Sequence, residues 1–227
     1  VCNVLAESGF NNVARWVPFD MDETDLTNRI GNKMIRPTTI PQSLEALIIE
    51  QGIAREALRL PFLQHKEFAV HLKGVQTERT ISDAFEQTSS GETLVNLMEL
   101  DMLVGSGGVL SHAPRRHQAA RMLIDAFLPE GITQLAVDSI FMMPQLGILS
   151  TIHPKAAVEV FEKDCLIRLG TCIAPVGKAK SDQVMLQYEI SLPDQRISGD
   201  LKFGELKLIS APFDSLQAKF TPGKGLD

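Results

Sequence analysis

The sequence predicts an α/β fold that is preceded by a long helical segment and followed by an antiparallel β region. Short apolar runs alternate with helical patterns in the middle of the chain, which is typical of a partly parallel sheet covered by helices. The first part is largely helical, and the last part alternates polar and apolar side chains. The predicted regions are 1–93 (mixed and largely helical), 94–177 (an α/β lobe) and 178–227 (a small antiparallel β region).

The helical segment begins with two short elements. ARWVPFD, residues 14–20, has the composition of a short strand, and residues 22–35 form a helical pattern with acidic residues in its first turn. Acidic side chains are favourable there because they face the positive end of the helix dipole. This helix and its end also carry a basic cluster, which we interpret as a solvated face: Arg29, Lys33 and Arg36.

The longest helix is predicted from Leu44 to about Lys73. Thr39 and Gln42 have the spacing of a capping box before it. Pro61 interrupts the apolar stripe, so we expect a kink or a division at this residue. The polar stretch 74–93 predicts a connector with a short helix at ISDAF.

The α/β lobe opens with a strand, a glycine turn and an amphipathic helix. The apolar run 97–104 is typical of a strand that is covered on both faces. The glycines that follow it allow backbone conformations closed to residues with a Cβ. The next helix carries one apolar stripe of Met122, Leu123, Ala126 and Phe127.

A second strand at 132–137 ends at Asp138, and a helix is predicted over 138–152. Another helix begins at Pro154, and the stretch 165–177 is predicted to be extended. The chain then alternates polar and apolar residues in three segments, which predict the antiparallel tail: 184–190, 195–201 and 205–210.

Composition excludes several classes of protein. The net charge of −6 argues against a nucleic-acid binder, because phosphate backbones require a basic surface. No apolar run approaches the roughly 20 residues that span a bilayer, so we expect no membrane association. Three cysteines are too few for a disulfide framework, which favours a reducing, cytoplasmic setting.

The glycine turn has two interpretations. It is either a structural strand-to-helix turn, or a turn whose main-chain N–H groups face a nucleotide. Arg115 and Arg116 favour the second interpretation, because cations in the first turn of a helix oppose its dipole unless they face an anion. They would equally be explained by acidic partners elsewhere in the fold.

Other catalytic and metal sites lack support in the sequence. Ser111, His112 and Asp138 are not arranged as a hydrolase triad, because no G-x-S-x-G elbow is present. The stretch ending at Gly177-Lys178 has the wrong length for a phosphate-binding P-loop. The histidines are scattered and have no carboxylates at metal-ligand spacing, so no metal site is predicted.

The stretch LDMLVGSGGVLSHAP resembles the adenosine-binding turn of the actin, Hsp70 and sugar-kinase ATPase superfamily. The resemblance widens over most of residues 25–177, in stretches such as NKMIRPTTIPQSLEALIIEQGIAREALRL and DAFLPEGITQLAVDSIFMMPQLGILSTIHP. Together these resemble the accessory protein of adenosylcobalamin-dependent glutamate mutase, the MutL-named family that is unrelated to mismatch repair.

This resemblance implies an actin-like, ribonuclease H-like lobe of an ATP-binding, reactivase-like chaperone whose partner is a subunit of an adenosylcobalamin-dependent mutase. It implies ATP with Mg²⁺ as the ligand of the parent protein. No amino-terminal phosphate loop is found, so we expect a carboxyl-terminal portion that supplies only the adenosine side of the cleft. The predicted ligand contacts are Gly105, Ser106, Gly107, Gly108, Arg115 and Arg116. The alternative is a non-catalytic scaffold with the same fold that docks a mutase subunit.

Overall fold

The structure, a computed structural model, describes residues 9–69, 94–210 and 216–226. Helices and strands alternate through the middle of the chain, so the mixed α/β class is confirmed. The elements in chain order are α1 (residues 9–14), α2 (Glu23–Ile35), α3 (Leu44–Phe68), β1 (Met102–Ser106), α4 (Gly108–Ser111), α5 (Arg116–Phe127), β2 (Gly131–Asp138), α6 (Met143–Ser150), α7 (Pro154–Val160), β3 (Leu166–Ala174), β4 (Val184–Ser191), β5 (Arg196–Lys202) and β6 (Gln217–Pro222).

The first sheet has the strand order β1-β2-β3. β1 and β2 are parallel and are joined by α4 and α5, so the predicted parallel pairing is confirmed. Their register places Ser106 opposite Asp138, and both residues end their strands. β3 runs antiparallel to β2 and starts beside Asp138. The carboxyl ends of two neighbouring strands therefore meet at one edge, where α/β sheets bind their ligands.

Helices cover one face of this sheet. Five buried residues of α4, α5 and β2 form its core: Leu110, Ala119, Met122, Leu123 and Val137. On β2, Ile132 is 64% exposed, and most of β1 is only half-buried. The expectation that β1 is covered on both faces is therefore wrong. The stripe predicted for α5 is confirmed, because Ala119, Met122, Leu123 and Ala126 are its buried residues.

The long helix α3 differs from its predicted cap, and of the two outcomes expected at Pro61 the division is wrong and the kink stays a prediction. Ser43, and not Thr39, caps it, because the Ser43 hydroxyl accepts a hydrogen bond from the Ala46 N–H at 3.1 Å. Pro61 does not divide the helix, which continues to Phe68. Phe62 packs edge-on against Phe127 of α5, with 5.0 Å between ring centres, and this contact holds the part after the proline. The predicted end near residue 73 and the helix at ISDAF lie outside the described residues.

α1, α2 and the first half of α3 enclose a core of their own, formed by Val13, Leu26, Ile30, Ile49 and Ile53. The predicted helix over 22–35 is confirmed, with Asp22 as its cap. The strand predicted at 14–20 is wrong, because this stretch ends α1 and then turns. Its apolar residues pack against the helices and not against a neighbouring strand.

A buried carboxylate joins these helices to one another. Glu56 of α3 is fully buried and accepts hydrogen bonds from Arg15 at 2.6 Å, Trp16 at 2.7 Å and Arg59 at 2.7 Å. The adjacent Arg55 forms a 2.6 Å ion pair with Asp125 of α5. We call these six residues the Glu56 network. It connects α3 with the turn after α1 on one side and with α5 on the other.

The second sheet is antiparallel, with the order β5-β4-β6. Its first two strands confirm the predicted tail. The strand predicted at 205–210 is wrong, because this stretch has no regular structure and Leu206 and Leu208 are exposed. Residues 217–222 pair with β4 in its place. The division of the chain at residues 93 and 177 stays a prediction.

Candidate functional site

The site predicted from the sequence lies where β1 ends and α4 begins. Gly105 is buried in β1, and a Cβ placed on it would lie 2.8 Å from Leu110 Cδ1 and 3.0 Å from Leu123 Cδ2. Both leucines belong to the core under the sheet. Gly105 therefore has a packing role, because its missing side chain allows α4 and α5 to lie close to the strand. Its predicted contact with a ligand stays a prediction.

We expect Gly105→Ala to destabilise the chain by about 1–3 kcal/mol, the usual cost of overpacking a closed core. Gly108→Ala is the matched control, because a Cβ at Gly108 meets no atom within 4 Å. Its expected effect is zero or slightly stabilising, since alanine is the better helix former. Urea unfolding of both variants measures the difference, and equal stabilities would contradict the packing role.

The next two glycines face open space. Gly107 has φ +118° and ψ 154°, a conformation that residues with a Cβ rarely adopt. Cβ atoms built on Gly107 or Gly108 would touch nothing within 4 Å. The Gly107 carbonyl accepts hydrogen bonds from the N–H groups of Leu110 and Ser111, which begins α4. The N–H groups that come before Leu110 in the first turn of α4 have no acceptor within the helix.

Asp138 and Ser111 hold the turn against β2. The Asp138 carboxylate is fully buried and accepts a 2.9 Å hydrogen bond from the Met143 N–H. The Ser111 hydroxyl donates to the Asp138 main-chain carbonyl at 2.5 Å. Because this serine is bonded to the main chain and not to His112, the geometry agrees with the absence of a hydrolase triad. The turn is thereby fixed at the carboxyl edge of the sheet.

Ser106 ends β1 beside Asp138. Its hydroxyl is buried and has no hydrogen-bond partner among the described residues. Buried hydroxyl groups are nearly always paired, because an unpaired one costs free energy. The sequence predicted a ligand contact at Ser106, and this contact stays a prediction.

Arg115 and Arg116 follow α4 and are both exposed. Arg115 caps α5, where its N–H donates to the Gln118 side chain at 3.0 Å. Arg116 donates to the Ser111 carbonyl at 3.3 Å. Within the described parts of the chain, neither guanidinium has an acidic partner within 4.0 Å. The acidic partners considered as an alternative are therefore absent from these ranges, and both cations are available to an anion.

Sequence reasoning missed one feature of this edge. Residues 139–142 were predicted to be helical, but α6 begins only at Met143. Phe141 has φ +60°, which is strained for an aromatic residue, and Ile140 and Phe141 are 60% and 56% exposed. Two apolar side chains therefore follow Asp138 at the edge that carries the glycine turn. The sequence gives no signal for this turn, because residues 139–142 contain no glycine or proline and their composition is also compatible with a helix.

Cys165 is buried beside the start of β3, and its surroundings disfavour a reactive thiolate. Burial raises the pKa of the Cys165 thiol, and the nearby Asp138 and Asp164 raise it further, so this thiol stays protonated and unreactive. No group of three or more metal-binding side chains occurs among the residues that the structure describes. The arrangement at this edge therefore suits binding, through main-chain N–H groups, exposed cations and apolar side chains.

The chain matches the model of a protein family. Its model, described as MutL protein, covers residues 1–165. The match includes the helical segment, the glycine turn and β2, and it ends where β3 begins. No curated protein and no solved structure matches the chain. Within residues 9–69, 94–210 and 216–226, no helix combines the length and hydropathy that crossing a membrane requires.

Proposed function

The chain belongs to the MutL protein family of the glutamate mutase accessory type, and from this premise we propose that it binds the adenosine side of ATP. In this proposal it is part of a reactivase-like chaperone with an actin-like fold, whose partner is a subunit of an adenosylcobalamin-dependent mutase. The proposed site is the turn from Gly105 to Gly108 with Arg115 and Arg116. The family membership supports an association with a mutase, and the edge of the first sheet supports the nucleotide.

A single observation carries the nucleotide proposal. Gly107 and Gly108 present bare backbone to open space at the carboxyl edge of a parallel strand pair. A nucleotide approaches a main chain closely only where no Cβ intervenes, and glycines supply that access. The guanidinium groups of Arg115 and Arg116, which have no acidic partner among the described residues, add positive charge beside it. The exposed Phe141 and Ile140 add apolar surface for a base.

The proposed contact residues suit an adenosine, and none of them offers a carboxylate to Mg²⁺. Hard cations require several oxygen ligands, and carboxylates usually supply them. At this edge the only described carboxylate on β2 is that of Asp138, which is fully buried and already accepts main-chain N–H donors. We therefore derive no step of ATP hydrolysis from these residues. Their contribution is to bind and orient one end of the nucleotide.

The proposed coupling to a partner runs through α5. This helix starts at Arg116 beside the glycine turn and ends at Phe127, and its Asp125 pairs with Arg55 of α3. A nucleotide that shifts the start of α5 would therefore act on the helical segment through the Glu56 network. Allosteric changes commonly proceed by such small shifts of packed helices.

A titration compares ATP with adenosine on the same chain. We expect both to bind with dissociation constants on the order of 0.1–1 mM, which is a binding free energy of about 4–5.5 kcal/mol. The affinity is low because we expect no phosphate loop in this chain to bind the phosphates of ATP. ATP should gain at most a few-fold from the two arginines. Calorimetry gives both constants. Sub-micromolar binding of ATP would contradict the claim that the chain supplies only the adenosine side of the cleft. If neither ATP nor adenosine binds, the proposal is wrong.

The second candidate function is a scaffold that docks a mutase subunit without a nucleotide. Exposed apolar side chains on α6, on α7 and in the turn before each helix favour it, since large exposed apolar patches mark protein interfaces. They are Ile140, Phe141, Ile148, Ile152 and Val158. A pull-down of the mutase with and without ATP separates the two candidates. Binding that ATP leaves unchanged supports the scaffold.

A further inference from the structure

A cavity of about 560 Å³ lies far along the chain from the glycine turn, between α2, the loop 36–43 and α3. This volume is in the range of small-molecule sites. Its apolar wall consists of five residues: Ile35, Pro41, Ala46, Ile49 and Ile53. Two of them, Ile49 and Ile53, belong to the buried core of the helical segment, so the wall is part of a packed structure. The apolar side of the cavity is therefore formed in part by well-packed core residues.

The other wall is basic. Arg29, Lys33 and Arg36 line it together with one acid, Glu50. The chain as a whole has a net charge of −6, so three cations against one anion make this wall an exception. From the sequence these cations were expected to form a solvated face. This interpretation is wrong for Lys33, whose side chain is only 20% exposed.

Two of the three cations are already paired. Lys33 forms a 2.7 Å ion pair with Glu50 and donates a hydrogen bond to the Thr39 carbonyl. Arg29 contacts Asp25 at 2.9 Å and Glu45 at 3.5 Å. These pairs hold the loop and the two helices in place. The carboxylates of these pairs also neutralise the charges of Lys33 and Arg29.

Arg36 is different. It ends α2, lines the cavity and has no acidic partner within 4.0 Å among the described residues. A guanidinium binds a carboxylate through two parallel hydrogen bonds, which fixes both charge and orientation. One cation without a partner matches one negative charge. A dianion such as a phosphate monoester would face Glu50 without a second compensating cation.

We propose that this cavity is a second ligand site, which binds a monocarboxylate with an apolar body. The carboxylate pairs with Arg36, and the apolar body lies against Ile49, Ile53 and Pro41. The ligand is either a free aliphatic acid or a glutamate side chain within an apolar peptide of a partner. Both present the same group to the cavity. The site is separate from the proposed nucleotide site, because none of its lining residues belongs to β1, α4 or α5.

The test is calorimetry of the full 227-residue chain with octanoate, octanol and octylammonium, below the concentrations at which they form micelles. We expect octanoate to bind at least about tenfold more tightly than the other two, since only its carboxylate forms a charged hydrogen bond with Arg36. A capped hexapeptide of leucine and glutamate is titrated in parallel. Tighter binding of the peptide or of octanoate identifies the source of the carboxylate.

Variants locate the binding. Arg36→Gln should weaken octanoate about tenfold and leave octanol unchanged, whereas Arg196→Gln, an exposed arginine of β5, should change neither. Ala46→Leu fills the cavity and should remove octanoate binding, with thermal melting to verify its fold. If neither octanoate nor the peptide binds, the proposal is overturned. Equal binding of the three octyl compounds, or binding that Arg36→Gln leaves intact, overturns it as well.

Discussion

Glu56→Ala should destabilise the chain by about 3–5 kcal/mol, the cost of breaking a buried ion pair by removing one partner. Glu56 is fully buried, and its loss leaves the donors of Arg59, Arg15 and Trp16 without an acceptor. Urea unfolding measures the change. Trp16 is the only tryptophan, so its fluorescence reports directly on the Glu56 network.

The matched control is Glu67→Ala on the same helix, where the glutamate is exposed and the expected change is below about 0.5 kcal/mol. A Glu56→Ala variant that is as stable as the control would mean that the network does not support the fold. In that case the proposed coupling between α5 and the helical segment would lose its physical basis.

The same carboxylate makes a prediction about pH. Burial acts to raise the pKa of Glu56, but the hydrogen bonds from Arg59, Trp16 and Arg15 outweigh it, so the pKa is lowered from its ordinary value of 4.5. The stability gained from the charged form is therefore complete above pH 4.5 and is lost as the pH falls through the lower folded pKa. Glu56→Gln should show a smaller loss of stability in acid than the wild-type chain does.

Gly108→Leu should weaken nucleotide binding at least about thirtyfold, equivalent to roughly 2 kcal/mol. The side chain would occupy the open space in front of the turn, and the backbone at Gly108 tolerates a Cβ without strain. Gly107 is unsuitable for this test. At φ +118° any substitution strains the backbone, so a loss of binding there would not be separable from a loss of folding.

Gly147→Leu is the control for Gly108→Leu. Gly147 also lies in a short helix, and a Cβ there also meets no atom within 4 Å. We expect its affinity for adenosine to equal that of the wild-type chain, as measured by calorimetry. If the two variants bind adenosine equally well, the nucleotide does not approach the glycine turn.

Local patterns predicted the elements that position this turn. The apolar run of β1, the glycines and the stripe of α5 are each written within one stretch of sequence, so their periodicity suffices to identify them. The parallel pairing of β1 with β2 followed from the order of elements, because a helix between two strands leads to a parallel crossover. The two exposed arginines were identified from their unfavourable position at the start of a helix.

Features that depend on contacts between distant residues were not predictable. Glu56 looks like any helical glutamate until the fold brings Arg15 and Trp16 to it from some forty positions away. The cap of α3 was misplaced because Thr39 and Ser43 are both suitable cap residues, and the helix begins directly after Ser43. Polar and apolar residues alternate in both 205–210 and 217–222, but only 217–222 pairs with the edge of β4.

The central claim is that adenosine lies at the glycine turn, and amide chemical shifts of the ¹⁵N-labelled chain test it most directly. On addition of adenosine, we predict the largest shifts at the main-chain N–H groups of Ser106 to Val109 and at the start of α5. The amides that line the cavity between α2 and α3 should shift less than those of the turn, because they sense the nucleotide only through α5 and the Glu56 network. Shifts that cluster around Arg36, or that spread evenly over the chain, would contradict the assignment of the site.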